Sequence, residues 1–329
     1  MANKKKIAVV GPIPRDHIVT HQGELIQKWG CVTHPVIALS VMAGNDIEII
    51  PVSHVRGVDK DNVQEVFKGY RGINLKHITS TNDQGDIISL RFVDVNTRLE
   101  RQTGFMDPIV PSDVDAIVDS DVFVFIPISD YEISLDTLKY IKKKNKKAII
   151  VFDAHGPTTA CLTNGERKLK FWIDRDQWLP YIDVLKMNLE ESEACWFKKE
   201  YESAGSEHAQ TAEDRAAFAR HCLERGVKCV AITMDSRGCM VYFKNKGKVV
   251  EEMVPAVKVS NVIDTTGCGD SFAGGVGFGL LHDPKNYIQA VQYGNTLGAL
   301  RTQGKTFAVF KSLEETNKII AETYQSKVF

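Results

Sequence analysis

Short, largely apolar runs bounded by turn residues recur along this chain, and they constrain its fold more than any other feature. Ile7-Ala-Val-Val10 stops at Gly11-Pro12, and Ala148 to Phe152 stops at Asp153. Val184 to Asn188 and Lys228 to Met234 follow the same plan, and Glu48 to Val55 and Asp121 to Ile128 add two more runs. Runs of this length read as strands buried on both faces. Segments with helical periodicity lie between them: residues 36–44, Asn62 to Gly69, Ser134 to Lys144, and about 267–281 and 285–302. Thr211-x-x-Asp214 opens a further helix that Gly226 closes. From residue 112 onward strands and helices alternate. That order predicts an α/β fold, a central mostly parallel sheet flanked by helices on both faces. With 329 residues, 43% of them hydrophobic, the chain can form one such domain over 1–329.

Two segments depart from the plan. Gly85 to Phe105 alternates apolar and polar residues around a polar turn near Asp94 to Arg98, which is a hairpin signal. A parallel sheet does not need it, so it is read as a small β lid or, failing that, an edge decoration. Met240 to Phe243 and Lys248 to Val254 flank Asn245-Lys246-Gly247 as a second hairpin. Ser203 to Gln210 reads as a polar, mobile loop.

Charge and cysteine usage exclude several classes. Lys plus Arg number 41 against 42 for Asp plus Glu, a formal charge of -1, which points to neither nucleic acid nor a membrane surface. The basic run Lys142, Lys143, Lys144, Lys146 and Lys147 falls where a helix should end, a favourable place for cations. The seven cysteines are odd in number and contain no Cys-x-x-Cys pair, so a reducing, cytoplasmic setting is expected. The first apolar run is four residues long, too short for a signal peptide or a membrane span. The nine histidines have no ligand-like spacing.

The chemistry concentrates in Asp264-Thr265-Thr266-Gly267-Cys268-Gly269-Asp270-Ser271-Phe272. A turn of small residues before an apolar helix leaves the first N–H groups of that helix free to hold an anion. A carboxylate beside a bound phosphate is a poor holder but a sensible base for a hydroxyl that attacks phosphorus. The late position and the missing third glycine argue against a dinucleotide fold, and no Walker-type loop is present.

The whole string resembles the C-terminal signature of the PfkB/ribokinase-like kinases, which phosphorylate sugars, nucleosides and related alcohols with ATP and Mg2+. The resemblance implies Asp270 as general base and backbone N–H donors from Gly267, Cys268 and Gly269. It implies a monovalent cation, K+, near Asp264. Asn188-Leu-Glu190-Glu191 matches the family's Asn-x-x-Glu, in which Glu191 would orient Mg2+ through water. Thr233-Met-Asp235-Ser-Arg-Gly238 resembles the loop against the nucleotide phosphates. There Asp235 replaces a glycine, which is harmless if the left-handed conformation is needed. Asn295, within Tyr293 to Gly304, is the candidate for the adenine pocket, with an ordinary core helix as the other reading.

The acceptor half matches less well. Asp16 stands where relatives bind sugar hydroxyls. The family's Gly-Gly-x-x-x-Asn reads Trp29-Gly30-Cys31-Val32-Thr33-His34 here, and its Asp-x-Asn reads Asp153-Ala154-His155. Gly30 is retained, while His34 and His155 replace amides and either meet the substrate or serve as core or capping residues. Arg98 is a candidate for an anionic substrate or a solvated turn residue. The expected lid comprises about 12–34 and 85–106, and by analogy relatives pair through it as homodimers. The resulting expectation is an ATP-dependent kinase of a small sugar or polyol. A nucleoside kinase, with Trp29 or Phe105 stacking on a base, and a non-catalytic sensor of nucleotide or sugar are the alternatives.

Overall fold

The computed structural model describes residues 4–93, 98–196 and 210–325. Most of the expected polar loop (203–209) and of the turn before Arg98 (94–97) therefore lie outside the described residues. In chain order the elements are β1 (Lys5–Val10), β2 (Arg15–Val19), β3 (Leu25–Trp29), α1 (Thr33–Ala43), β4 (Ile47–His54), α2 (Gly57–Val66) and β5 (Ile78–Thr79). Next come β6 (Ile87–Phe92), β7 (Arg98–Gly104), α3 (Pro111–Val114), β8 (Val122–Phe125), α4 (Leu135–Lys144) and β9 (Ile149–Asp153). Then follow β10 (Thr159–Cys161), β11 (Arg167–Leu169), α5 (Arg175–Trp178), β12 (Val184–Asn188), α6 (Leu189–Cys195) and α7 (Ala212–Glu224). The chain continues through β13 (Cys229–Thr233), β14 (Gly238–Asn245), β15 (Lys248–Pro255), α8 (Cys268–His282), α9 (Tyr287–Arg301) and α10 (Leu313–Tyr324).

The main sheet runs β15-β14-β13-β12-β9-β8-β1-β4-β5. It is parallel from β13 to β5 and antiparallel at β13–β14 and β14–β15. Successive strand residues point to opposite faces, so each apolar run feeds two cores. Ile7, Val9, Val122 and Val124 pack with α1, α8 and α9 on one face. Ala8, Val10, Phe123 and Phe125 pack with α4 and α7 on the other. The strands read as nearly continuous apolar stretches for this reason.

A second, four-stranded sheet has the order β3-β2-β6-β7 and comes from the two segments expected to make the lid. Its inner pair, β2 and β6, is parallel, and the outer pairs are antiparallel. One helix begins earlier than its sequence suggests: α2 starts at Gly57, not near Asn62. Asp83 accepts from the Gly57 N–H at 2.6 Å, and Asp59 in the first turn pairs with Arg15. These long-range contacts stabilise a turn that propensity alone would leave open. α8 lies unusually deep. A Cβ on Gly274, Gly275, Gly277 or Gly279 would come within 2.6 Å of Pro35, the Tyr293 carbonyl, Val124 or Ala290. No described helix is long and apolar enough to cross a membrane.

Candidate active site

The parallel strands place their last residues along one edge of the sheet, where open α/β folds bind ligands. Asp153 ends β9, Asn188 ends β12 and Thr233 ends β13; Asn188 is paired in register with Thr233, and Lys186 with Asp153. The late turn meets this edge. Gly267 is the N-cap of α8 and is left-handed, at φ 80 and ψ 6, so glycine suits it. The turn lies directly on the His34 ring, which a Cβ on Gly267 would meet at 2.3 Å. Cys268, Gly269 and Asp270 then form the first turn of a fifteen-residue helix, whose leading N–H groups lack helical partners. Burial pushes the Cys268 thiol up, consistent with a backbone role.

Sequence reasoning missed Lys186. It is 5% exposed, and its Nζ lies 2.7 Å from Asp153 Oδ2 and 3.2 Å from where a Cβ on Gly269 would stand. Burial works against its charge, but the Asp153 and Glu191 carboxylates hold the ammonium protonated. Burial also pushes Asp153 up. However, Lys186 and the His155 N–H at 3.1 Å both donate to it, so the two side chains are best written as an ion pair. A lone lysine inside the apolar strand Val-Leu-Lys-Met-Asn was the available signal. Asp270 belongs to the same electrostatic cluster. Burial, then the Asp153 carboxylate, lifts it to about 6, while Lys186 and His155 pull it back.

Glu191 and Asn188 close a capping box at the start of α6. Glu191 Oε2 accepts from the Asn188 N–H at 2.8 Å, and Oε1 accepts from Asn188 Nδ2 at 3.0 Å and lies 2.9 Å from His155 Nδ1. Burial opposes its ionisation, but Lys186 and the His155 contact outweigh that and bring it down to about 2. Among the described residues no three His, Cys, Asp or Glu side chains form a metal cage. Hard carboxylate oxygens near the open N–H groups of the glycine turn nevertheless suit a Mg2+ that keeps its waters and is held mainly by phosphates. Glu191 would act on it through water, because both its oxygens are engaged.

His155 bridges the two halves of the site. Its Nδ1 faces Glu191, and its Nε2 receives Arg167 Nη2 at 3.2 Å. An arginine can only donate, so Nε2 carries the lone pair and the proton sits on Nδ1. Burial disfavours the charged ring, and Glu191 raises its pKa against that. With 42% of the side chain exposed, solvent moderates both effects. Arg167 itself, from the β10–β11 hairpin, also binds Gln102, Ser129 and the Ile128 carbonyl, and nothing in its sequence neighbourhood signalled this.

The remaining expectations fare unevenly. Asp16 on β2 is 5% exposed and lies against Gly30, where a Cβ would stand 2.5 Å from its Oδ2. Asp235 has φ 50, the left-handed conformation that made its replacement of glycine tolerable, and Gly238 opens β14. The Arg98 side chain lies outside what is described. Asn295 does not face an open pocket: it is 9% exposed and donates to the Val254 and Pro255 carbonyls, tying α9 to β15. His34 does not face one either. It is 1% exposed beneath the turn, and its Nδ1 accepts from Arg301 Nε at 3.1 Å. Burial, then the Arg301 and Lys28 charges, holds it well below the usual histidine range. Asp264 does not present free oxygens to a monovalent cation. Its Oδ2 is bound by Arg301 Nη2 at 3.0 Å and Lys28 Nζ at 3.1 Å, and its Oδ1 by the Thr266 N–H at 2.9 Å.

Comparison with known proteins bears on the family and the fold. Over 86 residues the chain is 41% identical to the 2-dehydro-3-deoxygluconokinase of Bacillus subtilis (strain 168), a match covering 26% of this chain and 25% of that protein. The match to the ribokinase of Haemophilus influenzae is weaker but longer, at 22% identity over 92% of this chain and 94% of that one. The fold is also that of Arabidopsis thaliana ribokinase, solved with ribose and ATP, at TM-score 0.72 and 15% identity, covering 97% and 99% of the two chains. The family model described as pfkB family carbohydrate kinase matches residues 126–308, more than half of the 329. The chain belongs to the pfkB family of carbohydrate kinases.

Proposed function

We propose that this protein transfers the terminal phosphoryl group of ATP to a hydroxyl of a small sugar or polyol. The observation that carries the reading is the position of Asp270. It sits in the first turn of α8, beside the glycine turn and in the field of Lys186, with its pKa lifted to about 6. A carboxylate so placed is mostly ionised at neutral pH and is a stronger base than an ordinary one.

In this mechanism the acceptor hydroxyl gives its proton to an Asp270 oxygen as its own oxygen bonds to phosphorus. The bond from phosphorus to the bridging oxygen breaks, and ADP keeps that electron pair. N–H groups at the start of α8 and the Lys186 ammonium face the charge on the moving phosphoryl. Mg2+, when bound, supplies neutralisation of the nucleotide phosphates. Glu191, fixed by Asn188 and His155, would orient its waters. Asp16 would accept hydrogen bonds from the sugar. The β3-β2-β6-β7 sheet would close as a lid and exclude water.

The names of two relatives supply the first acceptors to try, ribose and 2-dehydro-3-deoxygluconate. ADP release should be measured against these, other sugars, inositols and nucleosides. At least one alcohol should stimulate it strongly in the wild type and not in Asp270→Asn. Equal stimulation in both proteins, or none across the panel, would remove the assignment.

A further inference from the structure

The Asp264 region carries an inference beyond phosphoryl transfer. A monovalent cation needs several oxygen ligands, and the Asp264 carboxylate and the Gly304 carbonyl are already taken by nitrogen donors. Arg301 Nη2 reaches Asp264 Oδ2 at 3.0 Å, and its Nη1 reaches the Gly304 carbonyl at 2.6 Å. Its Nε reaches His34, on which Gly267 rests. The guanidinium is 1% exposed and cannot retreat into water. Lys28 from β3 adds a second cation at 3.1 Å from the same carboxylate oxygen. A third positive charge there would meet two fixed ones with little solvent between them, where repulsion is costly. Arginine also suits the task, because its planar fork holds several acceptors in one fixed arrangement.

We propose that Arg301, seconded by Lys28, is a built-in substitute for a monovalent cation beside the glycine turn, and that this enzyme is therefore indifferent to K+. The guanidinium ties Asp264 and Gly304 together and supports the His34 ring under Gly267. A bound ion would organise the same oxygens, but here the organiser is covalently part of α9.

The test compares KCl with choline chloride at constant ionic strength, so that screening is equal in both. Two readouts are taken: turnover with the acceptor found above, and melting temperature. The melting arm needs no turnover, so it stands even if the kinase reading fails. Wild-type turnover should change by less than about twofold, and its melting temperature should not follow K+ concentration. Arg301→Ala frees Asp264 Oδ2 and the Gly304 carbonyl. Its turnover should fall and be restored by K+ by at least about twofold beyond any screening effect. Its melting temperature should rise with K+, as binding to the native state alone requires. Lys28→Ala keeps the guanidinium and should remain as indifferent as the wild type. A K+ response in the wild type by either readout overturns the proposal, as does an Arg301→Ala protein that K+ neither restores nor stabilises. Should Arg301→Ala fail to fold, the wild-type and Lys28→Ala arms decide.

Discussion

Asp264 and Asp270 stand at opposite ends of one short turn and live in opposite surroundings. Asp264 is gripped by Arg301, Lys28 and Thr266. Burial opposes its ionisation, yet those partners hold it well below the usual carboxylate range. Asp270 shares its surroundings with Asp153 and Glu191, and burial with those neighbours lifts it to about 6. The first is fully engaged in holding the turn together. The second is held in tension, a charge the fold tolerates at some cost. Six residues of sequence separate the engaged acid from the one proposed as the base, and only the long-range neighbours distinguish them.

The largest effect expected from this contrast is on turnover. Asp270→Asn should lower kcat by ~10²–10⁴-fold, the usual worth of a general base, with little change in ATP affinity; calorimetry with an ATP analogue and ADP-coupled kinetics measure both. Near-normal turnover would erase the distinction between the two acids. Next comes Asp264→Asn, which leaves the buried Arg301 without its carboxylate. A broken buried pair costs ~3–5 kcal/mol, so denaturant titration should show a large loss of stability. A loss under about 1 kcal/mol, the worth of a surface pair, would mean that the grip on Asp264 is cosmetic.

Asp270→Asn should move stability the other way. A carboxylate whose folded pKa lies above its unfolded value destabilises the fold once pH exceeds the unfolded pKa. From 3.8 to about 6, at ~1.4 kcal/mol per pH unit, the burden at neutral pH is at most ~3 kcal/mol. Partial exposure of Asp270 reduces it. The asparagine protein should therefore melt higher than the wild type at pH 7, and the advantage should vanish as pH falls toward 4. A lower melting temperature would show that Asp270 is not strained. The smallest effect is in the pH profile. The base must be ionised, so kcat/KM should rise by at most about tenfold per pH unit and level off above about 6. A midpoint near 4 would place the active carboxylate in ordinary solvent.

How far the sequence reveals this depends on how local the cause is. The strands are legible because each is buried on both faces, and the hairpin around 245–247 because its turn is encoded in three residues. The glycine turn is legible because backbone geometry demands small residues in one short string. Asp235 belongs with these, since its φ of 50 is a local property. The rest depends on distant partners. β2 and β3 carry charged, half-polar sequences; β2 becomes a strand through pairing with β6, some seventy residues on, and β3 pairs in turn on β2. Lys28 and Asp264 are 236 residues apart, and His34 and Arg301 are 267 apart. No periodicity reports such meetings. His34 stands at a family amide position, yet its surroundings make it a cushion under Gly267. The surroundings of His155 are harder to read than the turn for the same reason, since Glu191 and Arg167 reach its two ring nitrogens from separate segments.

The glycines of α8 carry a final consequence. With the Pro35 ring, the backbones of Tyr293 and Ala290 and the β-branched Val124 pressed against Gly274, Gly275, Gly279 and Gly277, the helix leaves no room along those flanks. It is a fixed post at the edge of the sheet. Under the proposed phosphoryl transfer, alignment of the reactants would fall to the outer β3-β2-β6-β7 sheet, and adaptation to a new acceptor would rework that sheet while this inner post stays in place.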